Sequence, residues 1–214
     1  GDFSALPTDF DYVVNLAVAK SGRWDKDLAA NAESVGLLMA HCREAKAFLH
    51  TSSAAVYDPP GDEPRNESAA LGDNHKHLFP TYSISKIAGE TIVRTMSRAL
   101  DLPTTIARFN VPYGDNGGWP FYQMEMILAG IPIPVPPGGP AQYNPIHEDD
   151  ILAMLPKLLD AATVPATTVN WCGDQTVSIQ EWCAYIGELV GREPVFAEDP
   201  NALRGGPTDT TRMH

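Results

Sequence analysis

Short apolar runs that alternate with longer stretches of helical character set the strongest limit on how this chain can fold. The runs lie near 11 to 17, 46 to 52 and 103 to 109, with helical stretches near 26 to 44 and 80 to 100. Strands separated by helices pair in parallel, and a parallel sheet hides its faces under those helices. Pro103 separates the second helix from the strand after it, as befits a residue that ends helical runs. The expected class is α/β, a doubly wound parallel sheet. From about 111 the texture changes to Pro/Gly-rich loops, notably Ile131-Pro132-Ile133-Pro134-Val135-Pro136-Pro137-Gly138-Gly139-Pro140. This part is expected to thread through a smaller subdomain with helices near 119 to 129, 148 to 161 and 178 to 190.

Tyr82 and Lys86 sit four residues apart in Thr81-Tyr82-Ser83-Ile84-Ser85-Lys86, so on a helix they share one face a single turn apart. A free phenol has a pKa near 10, and a neighbouring cation favours phenolate, which brings the group within reach of acid/base duty. On spacing alone such a pair usually marks an amphipathic surface. Its context is more specific: Ala47-Phe48-Leu49-His50-Thr51-Ser52-Ser53 reads as a buried strand running into hydroxyl residues, at the end of an α/β strand where ligands bind. Ser53 is placed to hold a substrate oxygen while Tyr82 gives or takes its proton.

Several ordered motifs together resemble the extended short-chain dehydrogenase/reductase family, also called the NAD-dependent epimerase/dehydratase family. Asp11 to Ala17 resembles its fourth strand, Thr51-Ser52-Ser53 its fifth strand and catalytic hydroxyl, and Arg108-Phe109-Asn110-Val111-Pro112-Tyr113-Gly114 its sixth strand. Asn144-Pro145-Ile146-His147-Glu148-Asp149-Asp150 resembles the opening of a helix in its small domain. The resemblance implies a Rossmann-type sheet over 1–110 and, over 111–214, mainly the small α/β substrate-binding subdomain, from which the chain can return to the sheet. It implies NAD or NADP as cofactor, Tyr82 as general acid/base, Lys86 as its tuning cation and ribose ligand, and Ser53 as the group that polarises the substrate. It further implies Leu16 and Ala17 along the cofactor cleft, Thr51, Ser52 and Pro112 near the nicotinamide, Asn31 on the helix after the fourth strand, and Asp2 at the adenine end. A homodimer through the two long helices is also implied.

The family begins with a strand, a Gly-x-x-Gly-x-x-Gly turn and a helix that binds the pyrophosphate, and this sequence starts after them. Neither Gly114-Asp115-Asn116-Gly117-Gly118 nor Gly138-Gly139 has the required setting. The expectation is that about fifty to sixty residues precede the sequence in a longer protein. The choice between NAD and NADP rests on that region.

The formal charge of −12 disfavours nucleic acid and anionic membranes as partners. No apolar run reaches the roughly eighteen residues of a membrane span. Cys42, Cys172 and Cys183 have no paired spacing, which fits a reducing, cytoplasmic compartment better than a disulfide framework. No metal is expected: His75-Lys76-His77 lacks a completing ligand, and the acids of His147-Glu148-Asp149-Asp150 suit a helix start. Trp171, Cys172, Trp182 and Cys183 read as packing residues.

Substrate class is read from departures. Dehydratases of the family usually place acids after the catalytic hydroxyl, where this chain has Ala54 and Ala55. Sugar-nucleotide members commonly have Asn where Val111 aligns and Arg where Tyr143 aligns, and losing both weakens the grip on a nucleotide diphosphate. A one-residue shift would put Asn110 in the first of these places. The aromatic-bearing loop with Trp119, Phe121 and Tyr122 is expected to wall an uncharged substrate, and packing between subdomains explains the same aromatics almost as well. The leading expectation is an NAD(P)-dependent oxidoreductase acting on a secondary alcohol or carbonyl of a small or medium organic molecule. The alternatives are an NAD-dependent sugar or nucleotide-sugar epimerase and a non-enzymatic dinucleotide sensor or scaffold; retention of Ser53, Tyr82 and Lys86 favours an enzyme.

Overall fold

A computed structural model describes residues 2–58 and 61–214. Strand β1 (Tyr12–Asn15) leads by a loop to α1 (Trp24–Leu28), which runs through a π-turn at Ala29–Glu33 into α2 (Ser34–His41). Next come β2 (Ala47–Ser53), a long excursion, α3 (Tyr82–Leu100) and β3 (Thr104–Phe109). Short strands β4 (Pro112–Gly114) and β5 (Gly117–Gly118) precede α4 (Trp119–Ala129), β6 (Ile133–Val135), β7 (Gln142–Tyr143) and β8 (Ile146–His147). The chain ends with α5 (Glu148–Asp160), β9 (Thr167–Trp171), β10 (Val177–Ser178), α6 (Ile179–Val190) and β11 (Phe196–Glu198).

The central sheet is parallel throughout, in the order β1-β2-β3-β9, with Thr51 opposite Ala107 and Ser53 opposite Phe109. All seven residues of β2 are buried, and the two-residue period of the strand divides them between two cores. Phe48 and Ile106 face α2 and α3, packing with Val35, Met39 and Val93. Leu49 and Ala107 face the other way and pack with Leu158, Val169 and Trp171.

That second core corrects the reading of 148 to 161 as a substrate-subdomain helix. Ile151, Met154, Leu155, Leu158 and Leu159 recur at helical spacing on α5 and cover the back of the sheet. The chain then returns to the sheet as β9, as the sequence allowed. The small lobe is built by α4, α6 and the strands near them, around Ile127, Ile133, Tyr143, Ile179 and Trp182.

Two buried side chains tie the helical layer to the loop after β1. Asn31, in the π-turn, accepts from the Ala19 N–H (2.7 Å) and donates to the Ala19 carbonyl (2.8 Å) and the Ser85 hydroxyl (2.9 Å). Asp27 accepts from Ser21 Oγ (2.7 Å), from the Ser21 and Gly22 amides (3.0 and 3.1 Å) and from Thr81 Oγ1 (2.5 Å), just before α3. Burial opposes ionisation of Asp27, but these donors outweigh it and lower its pKa. At Gly89 the π-turn approaches α3 so closely that a Cβ would lie 2.4 Å from the Asn31 carbonyl oxygen.

Candidate active site

A cleft of about 740 Å³ opens where the parallel strands end, which is where an open α/β sheet gathers its ligands. Its walls include Leu16, Thr51, Ser52, Ser53, Ala54, Tyr82, Lys86, Val111, Pro112, Trp119 and Tyr143, eleven of the residues singled out from sequence. Three of the expected cofactor contacts lie elsewhere. Asp2 forms an exposed turn with the Ser4 amide, Ala17 donates its N–H to Asn15 Oδ1, and Asn31 is turned inward on Ala19 and Ser85.

Tyr82 opens α3 and Ser53 closes β2, and both side chains line the cleft. Burial raises the Tyr82 pKa, and the Ser53 hydroxyl pulls in the opposite direction. The phenol is therefore neutral at ordinary pH. Ser53 Oγ also accepts from the Ala55 amide (3.2 Å), which fixes the hydroxyl at the strand end.

Lys86 lies one turn along α3, but its ammonium donates to the Thr51 carbonyl (2.5 Å). Burial lowers its pKa to about 8; Glu90 works to raise it and Lys20 to lower it. The cation lying over the Tyr82 ring is Lys20, with its ammonium 4.8 Å from the ring centroid and 5.1 Å from that of Phe79. Among the described residues Lys20 has no carboxylate partner, and burial lowers its pKa. Asn31 holds Ala19 and Asp27 holds Ser21, so the backbone carrying Lys20 is fixed on both sides.

Behind the cleft, Glu90 receives two parallel hydrogen bonds from Arg108 (2.9 Å each), one from Ser52 (2.6 Å) and one from Arg94 (3.0 Å). Burial works against this carboxylate, yet these partners hold its pKa below the usual range. The network fixes Ser52 between Thr51, which receives Lys86, and Ser53, which meets Tyr82.

His75 lines the same cleft, stacked on Phe79 and 5.9 Å from the Tyr82 ring. Burial, assisted by the Lys20 charge, lowers its pKa to about 4, so it is neutral near pH 7. No cluster of potential metal ligands occurs among the described residues. Lys20, His75 and Phe79 carry no recognisable motif; only the rule that loops at strand ends line the site could have drawn attention to Lys20.

Residues 3–170 match the model described as the NAD dependent epimerase/dehydratase family. Among curated proteins, none matches. The fold is similar to that of MoeE5 in complex with UDP-glucuronic acid and NAD, at 21% identity over 99% of this chain and 76% of that one, with a TM-score of 0.80. It is similar to the UDP-glucuronic acid 4-epimerase from Bacillus cereus in complex with UDP-glucuronic acid and NAD, at 19% identity over 99% and 70%, with a TM-score of 0.78. It is also similar to the UDP-N-acetylglucosamine 4-epimerase from Methanobrevibacter ruminantium M1 in complex with UDP-N-acetylmuramic acid, at 17% identity over 100% and 72%, with a TM-score of 0.82. At these identities the likeness is one of fold.

Proposed function

The chain belongs to the NAD dependent epimerase/dehydratase family, and from that premise we propose that Ser53, Tyr82 and Lys86 handle the proton for an NAD(P)-dependent oxidoreductase acting on a secondary alcohol or carbonyl of a small or medium organic molecule. The observation that carries this reading is the convergence of Ser53, Tyr82 and Lys86 in one cleft at the end of β2. A neutral phenol in the same cleft as a fixed hydroxyl can give its proton to a carbonyl oxygen bound between them.

The residues present fit the nicotinamide end of a dinucleotide. Lys86 has three donors and uses one on the Thr51 carbonyl, which leaves it able to hold a ribose hydroxyl. The Thr51 hydroxyl is buried without a partner among the described residues, and Leu16 and Val18 offer half-exposed apolar side chains to the same cleft. When bound, the cofactor supplies or accepts the hydride.

In reduction, Ser53 orients the substrate oxygen and Tyr82 protonates it; in oxidation, Tyr82 accepts the hydroxyl proton. Lys86 and Lys20 are the two nearby cations that favour the phenolate left behind. Epimerisation would use the same groups twice and leave no net redox change. The proposal extends to a homodimer through α2 and α3, a site of action in the cytoplasm, and cofactor contacts from Asp2, Ala17 and Asn31 in addition to the cleft residues. Free, buried Cys42, Cys172 and Cys183 support a reducing compartment.

The test is nicotinamide fluorescence during turnover by wild type and Tyr82→Phe. The expected result is a fall in kcat of roughly 10²- to 10⁴-fold with cofactor binding retained. Undiminished turnover in the variant overturns the mechanism.

A further inference from the structure

The cleft is chemically lopsided. Strand order places the loop with Lys20 at the β1 edge and Trp171 at the β9 edge, roughly 14 Å apart at ordinary strand spacing. Lys86 sits at the β2 end, with its ammonium on Thr51. The opposite wall is carbon: Phe109 packs on Trp171 at 4.5 Å, Trp119 meets Tyr143 edge-on at 5.3 Å, and Val111 and Tyr122 fill in beside them.

The polar side chains near that wall are spent inside the protein. Asn110 accepts from the Val111 amide (2.9 Å) and donates to Thr208 Oγ1 (3.2 Å). Asn144 accepts from the Thr208 amide (2.8 Å) and donates to Thr176 (3.4 Å). The Tyr143 hydroxyl reaches the Leu203 carbonyl (3.4 Å), and burial pushes its pKa up, so it stays neutral. Arg65 is the guanidinium among the described cleft-lining residues. A diphosphate laid on Phe109, Val111, Trp119 and Tyr122 would lose hydration that these side chains do not replace. An apolar ring gains from the same surface by contact area and by stacking.

We propose that the substrate of this site is an uncharged molecule with an aromatic or alicyclic body, carrying the reacting secondary alcohol or ketone at one edge, and is not a nucleotide-linked sugar. The body lies against Phe109, Trp119 and Tyr122, and the polar edge points to Ser53 and Tyr82. This rests on the oxidoreductase reading of the same cleft. The balanced step is reduction of the ketone by hydride from the nicotinamide cofactor and a proton from Tyr82, or its reverse.

Binding and turnover are measured separately on the protein loaded with nicotinamide cofactor. Binding is followed by quenching of tryptophan fluorescence in Tyr82→Phe, with 1-tetralone and acetophenone as neutral probes and UDP-glucose and UDP-glucuronic acid as charged ones. The expected result is saturable quenching by the ketones, at least about tenfold tighter than by either UDP-sugar, and weakened about tenfold in a Tyr82→Phe/Trp119→Ala double variant whose circular dichroism is unchanged. Tighter binding of a UDP-sugar, no saturable ketone binding, or binding indifferent to Trp119 overturns the proposal. Ketones that bind but are not reduced by wild type would sink the oxidoreductase reading and leave the substrate class standing. Tyr82-dependent turnover of a UDP-sugar would do the reverse.

Discussion

Lys86 is the residue whose environment departs most from what its spacing suggested. The four-residue interval with Tyr82 placed a cation one turn from a phenol, yet the ammonium is drawn to the Thr51 carbonyl and Lys20 occupies the face of the ring. Spacing on one helix could not reveal Lys20, because that residue arrives from a loop more than sixty positions earlier in the chain. The charged groups facing Lys86 are Glu90 on its own helix and Lys20 across the cleft; His50, buried on β2, senses both Lys86 and Glu90. If turnover needs the protonated ammonium, kcat/KM should fall as pH rises through about 8, the value to which burial lowers Lys86. Lys20→Met removes a charge that opposes that protonation, so the falling limb should move to higher pH. A pH–rate profile identical to wild type would show that Lys20 does not act on Lys86.

The loop after β1, the π-turn and the start of α3 behave as one element. Asn31 and Asp27 supply the hydrogen bonds that join them, and Gly89 lets the backbones meet. Gly89→Ala places a Cβ against a carbonyl oxygen that cannot swing away as a flexible side chain would. The expected loss of stability is roughly 1–3 kcal/mol, read from denaturant midpoints. Asn31→Ala leaves both backbone groups of Ala19 without their partner and should destabilise by roughly 2 kcal/mol while raising KM for cofactor. Retained stability in both variants would mean the loop is held by other contacts. Asn31 was legible as a motif position, but its inward hydrogen bonds depend on a π-turn that no sequence periodicity announced. The helix near 148 to 161 shows the same limit: its apolar stripe was readable, but whether it faced the small lobe or the sheet was decided by which surface remained uncovered.

Two histidines, His50 buried and His75 partly buried, make the whole molecule sensitive to acid. Burial, and then the Lys86 charge, lowers His50 to about 3, against an opposing pull from Glu90. Burial with the Lys20 charge lowers His75 to about 4. Both folded-state values lie below the ordinary 6.5, so between these values the unfolded chain binds more protons than the folded one. Stability contributed by the neutral rings is therefore complete above about 6.5 and lost as pH falls toward 3 to 4. The melting temperature should drop steadily over that window. His50→Asn, which keeps an acceptor for the Asn15 amide (3.3 Å in the wild type) and removes the titration, should flatten the drop. An equally steep decline in that variant would assign the acid response to other groups.

The alternation of apolar runs and helices, read without any structure, determined a parallel sheet and three of its four strands, because local periodicity and chain connectivity together leave few arrangements. Tyr82, Ser53 and Lys86 were visible for a similar reason: each sits at a fixed place on an element whose geometry is local. Tertiary structure alone decided what surrounds them. Lys20 and His75 reach the cleft from separate loops, Asn110 and Asn144 turn away to hold Thr208, and Val111 with Trp119 forms an apolar wall. Such contacts join residues far apart in sequence, and they are set by which surfaces must be buried and which hydrogen bonds must be satisfied once the sheet has closed.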